Sequence, residues 1–425
     1  LDDANPAAPA DAPPFGSERV ARLLAAARTQ FLAHGYEHLS IDGLSRVLGV
    51  SKETIYRYFP DKAALFRAAV ERLDDPFARR LPRRDPGADP EHLLVRCVRA
   101  IHDATVDADG GSFIWITICM AREFPDLAAT LSADGLAGME PIRVLLEELA
   151  STSDRRQEVP LELAALLGAL AIEGPRYLMG WPPAAPGLRD AAAARAVGLY
   201  LRGCLVAPGD VALPPVALEP RPPTPEPEPH LRALLQEAVL QFHARGYRGA
   251  NLDEIAATAR VGRGTLYRHF GSKSGLFAAA MLQAADDLAA QAPPAPVAGS
   301  LAERLGQAAR SAAELLCGGE SVRLHRTVIA EARRAPEVAR EVYRRTRTPL
   351  AMPVSQWLRH AADQGALELD DPELAAQRFL TLATGGNRWL TSDLSLDAAE
   401  RDRMAATAAC LFLRGYTAAL PGSRS

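Results

Sequence analysis

From Ser17 onward apolar residues recur in steps of three and four. Val20, Leu23, Leu24, Ala27, Phe31 and Leu32 form one stripe, which predicts an amphipathic helix. Gly35 is placed to end it, because a helix stop commonly uses the positive φ that glycine adopts without strain. Ser40 reads as the N-cap of a short second helix that directs Ile41, Leu44, Val47 and Leu48 inward. Gly49 breaks that helix, Val50 turns toward the core, and Ser51 caps a third helix ending near Phe59. Asp61 caps a fourth, which carries Ala64, Leu65, Ala68, Ala69 and Leu73. Helix, glycine turn, helix is the helix-turn-helix arrangement.

The pattern occurs twice. Ser51-Lys52-Glu53-Thr54-Ile55-Tyr56-Arg57-Tyr58-Phe59 returns 211 positions later as Gly262-Arg263-Gly264-Thr265-Leu266-Tyr267-Arg268-His269-Phe270, and the same shift relates Gly35-Tyr36 to Gly246-Tyr247. Asn251 and Glu254 form a capping-box pattern at the second copy's second helix. The register lasts to Pro125 and Pro336, and Leu201-Arg202-Gly203 is answered by Leu413-Arg414-Gly415 with one residue gained. The duplication therefore covers a whole unit, not the motif alone. Further helices are expected near His92–Asp107, Ser112–Glu123, Phe124–Leu149, Leu161–Leu178 and Asp190–Val206, separated by proline and glycine. Pro208–Pro229 is proline-rich and reads as a stiff linker, reaching up to roughly 68 Å at about 3.1 Å per residue. The expected organisation is a disordered extension (1–16), a first helix-turn-helix domain (17–75), a first C-terminal regulatory domain (76–207), the linker (208–229), a second helix-turn-helix domain (230–287) and a second regulatory domain (288–425).

A chain of 425 residues is too long for one hydrophobic core. Its abundant alanine, with aromatics at only 6%, favours helices, and the expected fold class is all-α. A net charge of −4 argues against indiscriminate coating of nucleic acid but leaves room for a local basic face. The five cysteines (Cys97, Cys119, Cys204, Cys317, Cys410) are odd in number, widely spaced and without a CxxC pair, as expected of free thiols in a reducing cytoplasm. The longest apolar runs fall short of a membrane span. Leu1–Gly16 lacks the basic and apolar segments of a secretory signal. No catalytic set, metal set or cofactor fingerprint stands out, and His34 with His38 straddle a helix end at Gly35.

The segments GYEHLSIDGLSRVLGVSKETIYRYFPDKAALF and GYRGANLDEIAATARVGRGTLYRHFGSKSGLF both resemble the N-terminal DNA-binding signature of the TetR family of bacterial transcriptional regulators. VIAEARRAPEVAREVY and ADQGALELDDPELAAQRFL are similar to one regulatory-domain type of that family. Typical members carry one such unit and act as homodimers, so the tandem fusion is a departure.

The third helix of each copy carries the exposed chemistry suited to DNA. Lys52 and Arg263 lie on its first turn, within reach of phosphates. Thr54 and Thr265 offer a hydroxyl and a methyl, the latter suited to thymine. Tyr56 and Tyr267 reach phosphate or base edges; Arg57 and Arg268 read guanine or pair with phosphate. Lys62 and Lys273 stand at the start of the fourth helix, where free N–H groups favour an anion. The caps Ser40, Ser51, Asn251 and Gly262 complete the face. The resemblance implies a phosphate contact at Tyr58 and His269. Glu53 stands where the second copy has Gly264, a mismatch that predicts non-identical half-sites and an imperfect palindrome as operator.

What the resemblance implies about regulation is a small apolar or amphipathic effector that shifts the fourth helix. Candidate pocket residues are Phe113, Trp115, Met120, Tyr177 and Trp181 in the first half, and Trp357, Phe379 and Trp389 in the second. It also implies a four-helix bundle made by the last helices, here Leu161–Leu178 and Asp190–Val206 with Glu373–Leu390 and Asp397–Ala419. The chain is expected to act as an intramolecular pseudo-dimer and repressor, with a homodimer of such chains as the other assembly. The competing reading is a constitutive DNA-binding or architectural protein whose cavities are filled by side chains.

Overall fold

The computed structural model describes residues 17–71, 80–82, 87–106, 108–151, 160–206, 211–214, 227–369, 371–391 and 397–415. The expected extension, Leu73 and most of the linker lie outside the described residues. The chain divides into two compact units, Leu1–Asp74 and Asp75–Ser425. The described residues are helical apart from turns, loops and two isolated bridges. Among them no helix is long and apolar enough to cross a membrane.

In the first unit α1 (Ser17–His38) turns sharply at Gly35 (φ 77°, ψ 169°), and α2 (Ile41–Leu48), α3 (Lys52–Tyr58) and α4 (Lys62–Val70) follow. Leu23, Leu24, Ala27 and Phe31 are buried as the stripe requires, and Phe31 meets the edge of Phe66 on α4 at 4.8 Å. Val47 departs from expectation: it is 63% exposed, because α2 is so short that Ile41 and Leu44 alone fill its inner face.

The second unit opens with α5 (Pro90–Val106), α6 (Ala108–Met120), α7 (Pro125–Ala137), α8 (Glu140–Ser151), α9 (Leu161–Ala171) and α10 (Pro186–Arg202). A second helix-turn-helix module comprises α11 (Pro229–Gly249), α12 (Leu252–Thr258), α13 (Arg263–Phe270) and α14 (Lys273–Ala290). Then come α15 (Leu301–Leu316), α16 (Gly319–Glu331), α17 (Pro336–Asp363), α18 (Pro372–Ala383), α19 (Arg388–Thr391) and α20 (Ala398–Arg414). The single helix expected over Phe124–Leu149 is two, α7 and α8, because the chain turns at Gly138, whose N–H bonds back to the carbonyls of Asp134 and Leu136. Its repeat, α17, runs unbroken for 28 residues through Pro349 and Pro353. The expected helices over Leu161–Leu178 and Glu373–Leu390 stop early, at Gly174 (φ 64°) and at Gly385 and Gly386 (φ 66° and 75°).

Helices of one regulatory half pair with their own repeats in the other. α6 meets α16, α9 meets α18, and α10 meets α20. The 3-10 turn Arg176–Met179 touches α17 as α19 touches α7. This is the isologous pattern of a two-fold axis, produced inside one chain. Its tightest point lies just beyond α10 and α20. There Gly203 (φ 71°) and Gly415 (φ 77°) let the backbones cross so closely that a Cβ on Gly203 would stand 2.3 Å from the Leu413 carbonyl oxygen, and one on Gly415 2.3 Å from that of Leu201. Side chains tie the halves as well: Trp115 Nε1 donates to the Ile329 carbonyl (2.9 Å), and Arg333 covers the Trp115 ring at 4.1 Å.

Of the proline-rich linker, residues 211–214 are docked on the start of α15, Ala212 by an isolated bridge to Ser300. Leu301 donates its N–H to the Val211 carbonyl (2.9 Å), and the buried Arg304 donates to the carbonyls of Leu213 (3.0 Å) and Pro214 (2.9 Å). Burial pushes the thiols of Cys97, Cys204 and Cys317 up to about 11, 12 and 12, so they stay protonated and inert. His325 is fully buried; its ring Nδ1 lies 2.8 Å from the Ser321 carbonyl, and burial pushes the imidazole down to about 4.

Gly203→Ala will cost more than about 2 kcal/mol, since the methyl meets backbone that cannot yield and the residue must keep a left-handed φ. A chemical melt measures this, with Gly187→Ala, in open space, as the control. The His325 imidazole gives stability a pH dependence. The unfolded chain binds its proton near pH 6.5 and the folded chain only near pH 4, so stability falls as pH drops through that window. The loss from this group is about 2 kcal/mol between pH 7 and 5. Thermal melts over that range will show it, and His325→Leu will flatten the slope.

Candidate nucleic-acid interface

In the first unit short hydrogen bonds fix the angle between α2 and α3. Ser40 Oγ accepts from the Gly43 N–H (2.9 Å), Gly49 takes a left-handed φ of 63°, and Ser51 Oγ accepts from the Thr54 N–H (3.2 Å). Ile55, 1% exposed, anchors α3 from below. That places Lys52, Glu53, Tyr56 and Arg57 on the exposed face, Tyr56 at 45%, with Thr54, Tyr58 and Phe59 half-buried. Lys52 forms an ion pair with Asp42 on α2. Hydrogen bonds from its own backbone N–H and from the Ser51 hydroxyl hold the Glu53 carboxyl below the ordinary carboxylate range, so it carries its charge on the open face. Lys62 places its ammonium 4.5 Å from the Tyr36 ring centre, a cation–π contact.

The second module repeats this geometry with different chemistry. Leu266 is the buried anchor, and Arg263, Gly264, Tyr267, Arg268 and His269 are exposed, with Thr265 and Phe270 half-buried. Asp253 pairs with Arg263 at 3.1 Å, the same α12-to-α13 tie that Asp42 and Lys52 make. The expected capping box forms only in part. Asn251 Oδ1 accepts from the N–H groups of Asp253 (2.9 Å) and Glu254 (3.4 Å), but the Glu254 carboxylate pairs with Arg245 instead of reaching back. Where the first module has Gly49, the second has Arg260, held at φ 56°. Gly262 caps α13 without a side-chain bond. Lys273 is more firmly engaged than expected: its ammonium donates to the carbonyls of Arg248 (3.0 Å) and Ala250 (2.7 Å), latching α14 to the end of α11. Gly264 has an ordinary φ, and a Cβ built on it meets no atom within 4 Å. The small residue there answers no packing need.

The two acid–base ties were missed from the sequence, although their signal was present: an acid on the first turn of one helix and a base on the first turn of the next, spaced alike in both copies.

The eight residues expected to line an effector pocket are all buried or half-buried. Phe113, Trp115 and Met120 are buried, and Trp357, Phe379 and Trp389 are closed off entirely in the second half's core. Tyr177 spends its hydroxyl on His102 Nε2 (2.9 Å). Trp181 does border a cavity, of about 430 Å3, whose other walls mix charged and polar side chains with Tyr343 and Leu374 and come mainly from α17 and α18. Among the described residues no group of three or more His, Cys, Asp or Glu side chains is placed to hold a metal ion.

Known sequences agree with the duplicated module. Residues 23–69 and 234–280 each match bacterial regulatory proteins of the tetR family, and residues 303–418 match the AefR-like transcriptional repressor C-terminal domain. The transcriptional regulator EthR of Mycolicibacterium smegmatis is 25% identical over 185 residues, 38% of this chain and 79% of that protein. The DNA-binding transcriptional repressor TetR of Mycobacteroides abscessus is 39% identical over 62 residues, 15% of this chain and 33% of that protein. Among solved structures, a TetR-family regulator from Mesorhizobium loti is 26% identical and covers 43% of this chain and 94% of its own, with a TM-score of 0.38. Proteins of this kind are regulators and not enzymes. With two copies of its DNA-binding domain in one polypeptide, the chain belongs to the TetR family of DNA-binding transcriptional regulators.

Proposed function

We propose that this regulator is a cytoplasmic repressor that binds its operator as an intramolecular pair. Each helix-turn-helix module reads one half of an imperfect palindrome, and a small amphipathic effector releases the protein. The observation that carries the pairing is the backbone crossing at Gly203 and Gly415, because a two-fold interface satisfied within one chain leaves no matching surface for a second.

On this reading Thr54, Tyr56 and Arg57 enter the major groove for one half-site and Thr265, Tyr267 and Arg268 for the other. Lys52, Tyr58 and Lys62, with Arg263, His269 and Lys273, serve the phosphates. The caps Ser40, Ser51, Asn251 and Gly262 present backbone N–H groups beside them. Lys52 and Arg263 then exchange Asp42 and Asp253 for phosphate on binding. Glu53 accepts from a cytosine amine or repels the wrong base, and Gly264 does neither. A constitutive DNA-binding protein is favoured by one fact, the complete burial of Trp357, Phe379 and Trp389 in the second half's core.

The chain will run in solution at 45.5 kDa, measured by light scattering; a mass twice that would overturn the intramolecular pairing. Selection from random duplexes will return an asymmetric consensus. The exchange Glu53→Gly with Gly264→Glu will invert which half is preferred, changing the discrimination at the affected base pair by about tenfold. Both positions are open, so the stability effect is limited to helix propensity, a loss of up to about 1 kcal/mol in α3 and a gain of similar size in α13. A symmetric consensus from the parent chain would refute the division of labour.

A further inference from the structure

Arg347 on α17 stands in the wall of the cavity beside Trp181; it is 1% exposed, and its Nε, Nη1 and Nη2 are closed to solvent without a hydrogen-bond acceptor among the described residues. Its guanidinium carbon lies 4.8 Å from the centre of the Tyr343 ring. The wall does contain acids, but each is engaged. Glu173 pairs with Arg176 (2.5 Å), Glu373 with Arg359, and Asp371 caps α18 by accepting from the Leu374 N–H (3.0 Å). A buried guanidinium without acceptors is costly, and each such group in a folded protein calls for a partner. The group whose shape matches its fork is a carboxylate.

The remaining walls narrow the ligand. Trp181 and Tyr343 meet at 5.1 Å with planes inclined by 63°, giving two aromatic surfaces beside the cation. The volume, about 430 Å3, lies in the range of small-ligand sites. Arg176, Arg344 and Arg378 join Arg347 in the wall against three acids, an excess of one positive charge that suits an anion of single charge. We propose that the cleft between the Arg176–Met179 turn and helices α17 and α18 binds one planar aromatic monocarboxylate, its ring against Trp181 and Tyr343 and its carboxylate on the Arg347 guanidinium, which turns out of the wall to meet it.

The site is one-sided. At the register of the duplication, Arg347, Gln377, Arg378 and Thr381 are answered in the first half by Leu136, Leu166, Leu167 and Leu170. The last three of those leucines are buried. The expected stoichiometry is therefore one ligand per chain, where a dimer of identical subunits would bind two. The role of this ligand as effector rests on the regulatory reading above. Its route runs along α17, whose Arg345 pairs with Asp286 of α14 (2.5 Å), and α14 in turn packs on the recognition helix α13.

Titration of the full chain with benzoate, cinnamate and indole-3-acetate, each beside its neutral amide, tests the site by calorimetry and tryptophan fluorescence. At least one acid should bind saturably at one per chain, at least tenfold tighter than its amide. Arg347→Met should abolish this binding. Trp181→Ala, a change at a half-buried position, should weaken it tenfold or more, which keeps the test valid if the Arg347 variant fails to fold. No saturable binding by any of the three acids, equal binding of the amides, two ligands per chain or full binding by both variants would overturn the proposal. Solution mass and operator selection, measured without ligand, stand or fall separately. An acid that binds through Arg347 yet leaves operator affinity unchanged would support the site and remove its effector role.

Discussion

Two glycines with left-handed backbones let α10 and α20 run out past one another at a separation no side chain would allow. A Cβ on either would collide with a carbonyl of the other strand, so the crossing demands glycine at both positions for a steric reason as well as a conformational one. Around it the N–H of Cys204 points to the carbonyls of Phe412 and Leu413, and Leu205 donates to Leu413 at 3.0 Å. The paired helices α9 with α18 and α6 with α16 extend the contact outward. Much of the arrangement of the second unit follows from that contact, because helices that pair with their own repeats can be satisfied in only one register. Arg304, holding residues 213 and 214 by their carbonyls, fastens part of the connection that makes the pairing intramolecular.

The recognition modules are built on an independent logic, and it is local. A side-chain cap on the second helix, a left-handed turn, one buried aliphatic anchor and an edge-on aromatic pair recur in both copies with small exchanges. Phe31 with Phe66 becomes Phe242 with Phe277 at 5.0 Å. Where an exchange is unfavourable, a neighbour offsets it. Arg260 holds a left-handed conformation that glycine would adopt freely, and α12 gains a two-donor cap from Asn251. The outward faces are free of these constraints, which is why Glu53 and Gly264 can differ without disturbing either helix.

What was legible in the sequence and what was not divides along the same line. Caps, glycine stops and the 3.6-residue stripe are short-range signals, so α1 to α4 and their repeats could be placed in advance. So could the leucine-arginine-glycine echo, though nothing local says that the two copies touch. The aromatic residues are harder to read, because size and apolarity are shared by pocket walls and by core fillers. Trp357, Phe379 and Trp389 are fully buried, a tertiary property that no local pattern signals. Arg347 escaped notice for the opposite reason: an arginine in an RRTRT run reads as a solvated face, and only the fold buries it. Val47 was a misjudgement of period, since in a helix of eight residues one apolar position can lie outside the stripe at little cost.

Fusion changes what such an interface can evolve. In a homodimer every substitution appears on both sides of the axis, so a buried arginine without an acceptor would be counted twice. The same change would replace leucines that hold the bundle on both flanks. In a single chain the halves are separate sequences. Leu166, Leu167 and Leu170 can keep one flank of the contact dry while Gln377, Arg378 and Thr381 leave the other polar. The leucine flank carries stability, and the polar flank can carry a cost of the size a ligand would repay. The mismatch between Glu53 and Gly264 follows the same rule on the exposed faces of α3 and α13. Both are asymmetries that strict two-fold symmetry forbids, and the second sits where a change of charge meets no packed neighbour.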